Sequence, residues 1–352
     1  MWCATSNQHL GLLAGFEELR RVSISFPRIQ PWTLSVTADR QPLPSASVII
    51  ATKNRPQYLG RTVTTLLAQS AVPEELIIVD QSAGDESRRG VELAWLQAPP
   101  MARESIRLQY VKDPTIRGLA QARNRSMKMA TAEVWVFLDD DVILEPDFLE
   151  ELLKAYGSAP GLTGVSGVIT NYSPPPVWQR TWNIIFRRGP FHDERQPIYW
   201  RAERLRQADP IPVKSFTGAL MSFRASAVRD LGFDENLSGV SEGEDVDFCC
   251  RLPEGARLVI CPRARLAHML SPEGRAKNHW LRRMVLGTHF LYWKNWRRGV
   301  MNRIWFLWLN VGCGLLASVA SVRRVSLTPW RDFLAGVTEA KKPVQQSSVT
   351  HP

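Results

Sequence analysis

The sequence predicts an α/β protein: a doubly wound sheet flanked by helices, with an amphipathic to hydrophobic helical extension at the C-terminal end. Short, almost wholly apolar runs of strand length alternate with helical stretches at a spacing of about 25–30 residues, the rhythm of strand–helix–strand units with right-handed crossovers. The runs are apolar throughout rather than alternating, which suits strands of a parallel sheet buried on both faces. Three of them end in polar groups, and open α/β sheets bind ligands at the carboxyl ends of their strands.

The elements follow in order. Residues 47–52 (SVIIAT) read as the first strand, ending in Thr52-Lys53-Asn54-Arg55. Helical spacing over 58–68 puts Leu59, Val63, Leu66 and Leu67 on one side. Residues 75–80 form a second strand ending in Asp80, 106–111 a third, 118–130 a helix, and 134–138 (VWVFL) a fourth strand running into Asp139-Asp140-Asp141. The first, second and fourth strand ends should share one edge. Residues 1–45, punctuated by four prolines, read as an accessory extension with a short helix over 10–22.

Composition narrows the class. The chain has 352 residues, 44% apolar and 22% charged, without a repeat period, which excludes disordered, fibrous and solenoid proteins. The net charge of +10 resides in 272–342, where 13 Lys and Arg meet 3 Asp and Glu, so the first 271 residues are neutral overall. Six of the 13 tryptophans also lie from Trp280 onward. Such a tail suits an anionic membrane surface. It carries no RRM, KH or zinc-finger signature, so nucleic acid is not expected as a partner. Five cysteines (Cys3, Cys249, Cys250, Cys261, Cys313) without a C-x-x-C pair give no zinc site and fit a reducing compartment. No basic segment precedes an apolar run at the N-terminus, so no secretory signal is expected.

Two acidic clusters carry the chemistry. Adjacent carboxylates repel one another, and a divalent cation such as Mg²⁺ or Mn²⁺ relieves that cost. On a strand end Asp139 and Asp141 point one way and Asp140 the other, so the first two can share a ligand. The second cluster runs from Glu242 to Asp247. Glu244 and Asp245 fit the first turn of a helix, where the macrodipole favours negative charge. A carboxylate so held can act as a general base toward a sugar hydroxyl.

These pieces, with 48–55, 77–80, 118–124, 137–141, 216–221 and 243–247 in this order, resemble the family 2 inverting glycosyltransferases of the GT-A fold over about 46–270. The resemblance implies a GT-A type doubly wound mixed sheet and a nucleotide-diphospho-sugar donor. It implies that Thr52, Asn54 and Asp80 cradle the nucleoside, that Arg55 and Asp140 stand at the nucleotide-sugar site, and that Arg117 or Arg123 reaches the diphosphate. Asp139 and Asp141 match the D-x-D motif that holds the metal, Mn²⁺ or Mg²⁺. His268 matches a position that completes the metal site in some relatives. Asp245 matches the catalytic base, with Glu244 and Asp247 supporting the acceptor site. Asp245 and Asp247 lie about 200° apart on a helix, so only one can be the base, and Asp247 is expected to pair with Arg251 at i+4. The acceptor is expected to be a glycan or lipid-linked precursor, in cell-surface polysaccharide biosynthesis. A nucleotidyltransferase acting on sugar phosphates is the alternative; it would more typically carry a Gly-rich loop after the first strand, which 52–56 lacks.

Two stretches lie apart from these motifs. Residues 171–212 hold three prolines in a row, Trp178, Trp182 and Trp200, and seven arginines. They read either as an acceptor loop for a lipid-pyrophosphate-linked or acidic glycan or as a loop packed by its own aromatics. The basic, Trp-rich tail, 271–352, contains an interfacial helix over 280–296 and an uncharged 304–322, near the minimum for a membrane span. The expectation is a protein on the cytoplasmic side of the cell membrane, peripheral or with one C-terminal hydrophobic helix.

Overall fold

The computed structural model describes residues 42–237, 243–271 and 279–340, all within one compact unit. The helix expected at 10–22 and the acid Glu242 lie outside the described residues.

The strands are β1 (Ala46–Thr52), β2 (Glu75–Asp80), β3 (Arg107–Lys112), β4 (Val134–Leu138), β5 (Val142–Leu144), β6 (Gly164–Ile169), β7 (Ile211–Val213), β8 (Leu220–Arg224) and β9 (Leu258–His268). They form one mixed sheet in the order β3-β2-β1-β4-β8-β6-β9-β5, with β7 paired to β9. The apolar runs are where burial on both faces requires them: every residue of β1, β2 and β4 is buried. β3, at the sheet edge, is only half-buried. β1, β2, β3 and β4 are parallel, with Thr52 opposite Asp80 and Ile50 opposite Leu138. The three polar strand ends therefore do meet at one edge.

The rest of the sheet completes that edge. β8 runs antiparallel to β4 and delivers the 216–220 loop beside Asp139. β5 follows the aspartates directly and pairs antiparallel with the far end of β9, setting Val142 opposite His268. Pairing of two short segments thus places a distant histidine beside the strand-end acids.

A helix missing from the sequence reading spans Glu86–Gln97. Only Ser87, Val91 and Ala94 are buried on it, while Leu93 and Leu96 are exposed, so its apolar periodicity is weak.

The C-terminal part is helical: Trp280–Leu291, a π-helical turn Tyr292–Trp296, then Val300–Arg324 and Thr328–Glu339. These helices share an apolar cluster with the 171–212 stretch. Trp182, Phe186 and Phe191 pack with Leu281, Val285, Tyr292, Phe306, Leu309 and Cys313. Tyr292 stacks on Phe306 at 3.8 Å between centroids, and Trp182 Nε1 donates to the Gly312 carbonyl at 3.1 Å. The expectation of an interfacial helix over 280–296 is corrected here. Its apolar side faces this cluster, because amphipathicity cannot tell a membrane from a protein partner. The outward apolar face belongs to Val300–Arg324, where Val300, Ile304, Leu307, Val311, Leu315, Val319 and Val322 recur every three to four residues and are exposed. This helix is long and apolar enough to cross a membrane, and 22% of its apolar window is buried.

Candidate active site

Strand pleating divides the three aspartates. Asp140 is buried and turned toward β1, where Thr52 Oγ1 donates to its Oδ2 at 2.7 Å and Arg55 Nη1 to its Oδ1 at 2.9 Å. Burial pushes the Asp140 carboxyl up to about 6, against the pull of Arg55 and Thr52. Burial opposes the Arg55 charge, yet Asp140 and the neighbouring acids leave it more firmly protonated than usual. Thr52, Arg55 and Asp140 are therefore a mutually satisfied strut under the cleft.

Asp139 and Asp141 face the other way, toward His268. The His268 Nε2 lies 2.9 Å from Asp141 Oδ1 and 3.6 Å from Asp139 Oδ2. One donor atom from each residue falls within 4.8 Å of the other two. Two carboxylates and an imidazole suit a divalent ion such as Mn²⁺. The ring is oriented from behind: its Nδ1 meets the Tyr172 hydroxyl at 3.0 Å, and Asn171 bonds the His268 backbone on both sides. Burial alone would raise the Asp141 carboxyl. Its hydrogen bonds to His268 and the Ser271 N–H instead hold it below the usual carboxylate value.

The second cluster lies on the short helix Glu244–Cys250. Gly243 enters it at φ +111°, where a side chain would be strained and a Cβ would meet Leu291 at 3.2 Å. From that start the helical step separates the acids. Asp247 is fully buried and bound by Arg251, Lys294 and Asn295, including the i+4 pair expected from spacing. Asp245 faces the cleft, its Oδ2 accepting the Gly218 N–H at 2.8 Å. Glu244 is buried, and burial together with Asp245 raises its carboxyl well above the ordinary range.

Arg123 braces the two clusters. Its guanidinium, 2% exposed, donates to the Gly218 carbonyl at 2.6 Å and stands 3.5 Å from Asp139 and 3.6 Å from Glu244. Arg123, one of the two arginines expected at the diphosphate, is buried here and ties the floor together. Arg117 is exposed at the rim. Asp80 is fully buried, with one oxygen accepting the Ser82 N–H at 2.8 Å and the other the Tyr110 hydroxyl at 2.6 Å. Asn54 is exposed at a positive φ of 56°, its backbone N–H donating to Ser82 Oγ.

Sequence reasoning missed Arg195. Asp193 holds its Nε at 2.8 Å and its Nη2 at 3.1 Å, while Nη1 donates to the Phe216 carbonyl and lies 3.7 Å from Asp245 Oδ2. Burial opposes that charge, but Asp193 raises the guanidinium above its ordinary value. The 171–212 stretch thus both packs on the tail through Trp182 and Phe186 and sends one arginine to the cleft.

Residues 47–229 match the profile described as Glycosyl transferase family 2. The chain belongs to this family. The match removes support from the nucleotidyltransferase alternative. Among curated family relatives, a validoxylamine A glucosyltransferase of Streptomyces hygroscopicus subsp. limoneus is 26% identical over 66% of this chain, and the alignment spans 53% of that longer protein. The chain thus spans about half the length of this relative. The glucosyl-dolichyl phosphate glucuronosyltransferase of Haloferax volcanii is 25% identical over 74% of this chain and 78% of its own. Among solved structures, the mannosyltransferase PcManGT from Pyrobaculum calidifontis, in complex with GDP-Man and Mn²⁺, superposes with a TM-score of 0.54 and 18% identity, covering 94% of each chain. Residues 1–349 of TarS from S. aureus, in complex with UDP-GlcNAc, give a TM-score of 0.53 at 15% identity over 84% of this chain and 80% of that one. These two share the GT-A fold with this family member.

Proposed function

We propose that the protein transfers a sugar, with inversion, from a nucleotide-diphosphate donor to a hydroxyl of a glycan or lipid-linked acceptor during cell-surface polysaccharide biosynthesis, using Mn²⁺ or Mg²⁺. The observation that carries the reading is the bracing of two acid clusters across one residue: Gly218 gives its carbonyl to Arg123 and its N–H to Asp245, and Arg123 also stands against Asp139. A cation-binding group and a base are thereby fixed on opposite sides of one loop. The names of relatives point the same way. The Pyrobaculum enzyme holds GDP-Man and Mn²⁺, TarS holds UDP-GlcNAc, and a 28% identical Rhizobium meliloti protein is a succinoglycan biosynthesis protein, ExoM.

Asp139, Asp141 and His268 would hold the cation, and the imidazole favours Mn²⁺ over Mg²⁺. When bound, the cation supplies charge stabilisation at the leaving diphosphate. Thr52, Asn54 and Asp80 frame the nucleoside end, and Arg117 at the rim meets the phosphates. Asp245 accepts the proton of the acceptor hydroxyl as that oxygen attacks the anomeric carbon opposite the leaving group. Glu244 and Arg123 hold the loop between them, and Asp247 anchors the helix. Residues 46–270 are then the catalytic part, 1–45 an accessory extension, and 271–352 a tail that rests on the cytoplasmic face of the membrane.

Melting curves with UDP-, GDP- and dTDP-sugars, each with and without Mn²⁺, test this directly. One donor should stabilise the protein only with the cation, and the product linkage should have the opposite anomeric configuration to the donor. Stabilisation by no nucleotide sugar, or a retained configuration, would contradict the reading.

A further inference from the structure

Behind Asp245 lies a cavity of about 110 Å³. The 187–195 segment forms one wall, the C-terminal helices another through Thr288 and Trp296, and Val246, next to Asp245, lines it as well. Its charged lining is Arg187, Arg195 and the acid Asp193, with His192 beside them, so the arginines outnumber the acid by one. The two arginines are in different states. Arg195 is committed to Asp193 through two nitrogens, with Asp245 3.7 Å from a third. The Arg187 guanidinium has no hydrogen bond or ion pair among the described residues, and the nearby acid, Asp193, is already engaged by Arg195. A half-buried guanidinium at the wall of a small cavity of mixed polar and apolar lining is best satisfied by an oxyanion, which accepts charge-assisted hydrogen bonds in its fork.

Size and position narrow the ligand. The volume is far below the roughly 300 Å³ at which nucleotide- or drug-sized sites begin, and it can take a phosphate group. The helix that helps close the cavity through Leu309 also carries an outward apolar face, made here by Ile304, Leu307, Val311 and Leu315. An apolar chain laid along this face passes the cavity, and Val246 in the cavity wall adjoins Asp245 in sequence.

We propose that the cavity binds a phosphate group of the acceptor, and that the acceptor is a lipid phosphate or pyrophosphate whose sugar hydroxyl is thereby presented to Asp245. Arg187 is the principal ligand, and Arg195 links the phosphate to the base side of the cleft. The inference rests on the transferase reading only in taking Asp245 to mark the acceptor side.

Calorimetric titration of the full chain in EDTA tests it without the cation or the donor, using farnesyl phosphate, farnesol and inorganic phosphate as probes. Farnesyl phosphate should bind at least about tenfold tighter than either of the others, and Arg187→Gln should weaken it by about tenfold or more while Arg187→Lys keeps part of the affinity. Equal binding of farnesyl phosphate and farnesol, or an Arg187→Gln variant that binds like the parent, would overturn the phosphate site. Equal binding of inorganic and farnesyl phosphate would overturn the lipid assignment. Sugar transfer that persists without phosphate binding would sink this inference alone, whereas phosphate binding in a protein that no nucleotide sugar stabilises would sink the transferase reading instead.

Discussion

The two acid clusters have similar compositions and opposite geometries. At the end of β4 the pleat sends Asp140 down to Thr52 and Arg55 and leaves Asp139 and Asp141 beside His268. On the Glu244–Cys250 helix the turn sends Asp247 into a cage of Arg251, Lys294 and Asn295 and leaves Asp245 on Gly218. The strand-end cluster thus gives one carboxylate to the structure and keeps two beside His268, whereas the helical cluster buries Glu244 and Asp247 and leaves Asp245 at the cleft. The count of acids in a motif does not give the count of functional acids; the hydrogen-bond partners decide. The clusters also differ in what completes them. The strand-end group brings two carboxylates and an imidazole together, a set that a cation satisfies. The helical group is completed by protein alone.

The largest effect that would break this comparison is expected at the strand end. Asp141→Asn should abolish Mn²⁺-dependent stabilisation by the nucleotide sugar, while the amide keeps an oxygen for the Ser271 N–H and the melting temperature without ligands stays close to that of the parent. Retention of the full Mn²⁺ dependence would remove Asp141 from the metal site. Asp247→Ala should cost about 1–3 kcal/mol of unfolding free energy in urea. The loss stays at that level because Arg251 and Lys294 are 26% and 30% exposed and can rehydrate. An unchanged midpoint would show that the cage is not a structural anchor.

A smaller effect concerns pH. Burial raises the folded-state pKa of Glu244 above its unfolded value, so the fold favours the protonated form. The associated stability is fully present below the ordinary carboxylate value and is lost as pH rises through the raised one. Glu244→Gln, melted in EDTA across pH 4 to 9, should therefore show a flatter decline toward alkaline pH than the parent. Parallel curves would contradict the assignment. The smallest effect is expected on the outer helix face. Leu307→Gln with Leu315→Gln should weaken binding to phosphatidylserine vesicles without loss of folding, since both side chains are exposed and the charge is unchanged. Deleting the whole segment is a poorer test, because Phe306, Leu309 and Cys313 belong to a buried cluster.

Much of the strand-end edge was legible in the sequence. Strands buried on both faces must be apolar throughout, so β1, β2 and β4 and their polar ends stood out, and the period of two separated Asp140 from Asp139 and Asp141. The helical step likewise anticipated the Asp247–Arg251 pair. Contacts created by remote pairing were less accessible. His268 reaches Asp141 because β5 pairs with β9, and only the resemblance pointed to it. Arg195 comes from a stretch without a period, so nothing local marked it. The Trp280–Leu291 helix misled for a physical reason: its apolar face reads the same whether it meets lipid or Phe306 and Cys313.

The central claim is that Asp245, and not Asp247, takes the acceptor proton. Turnover and donor affinity of Asp245→Asn and Asp247→Asn, measured side by side below the melting transition of each, test it most directly. Asp245→Asn keeps an oxygen for the Gly218 N–H but loses the basicity, so turnover should fall by about 10²-fold or more with donor affinity nearly unchanged. Asp247→Asn should turn over close to the parent rate while unfolding more easily. An active Asp245→Asn beside an inactive, folded Asp247→Asn would contradict the account and move the base two positions along the helix.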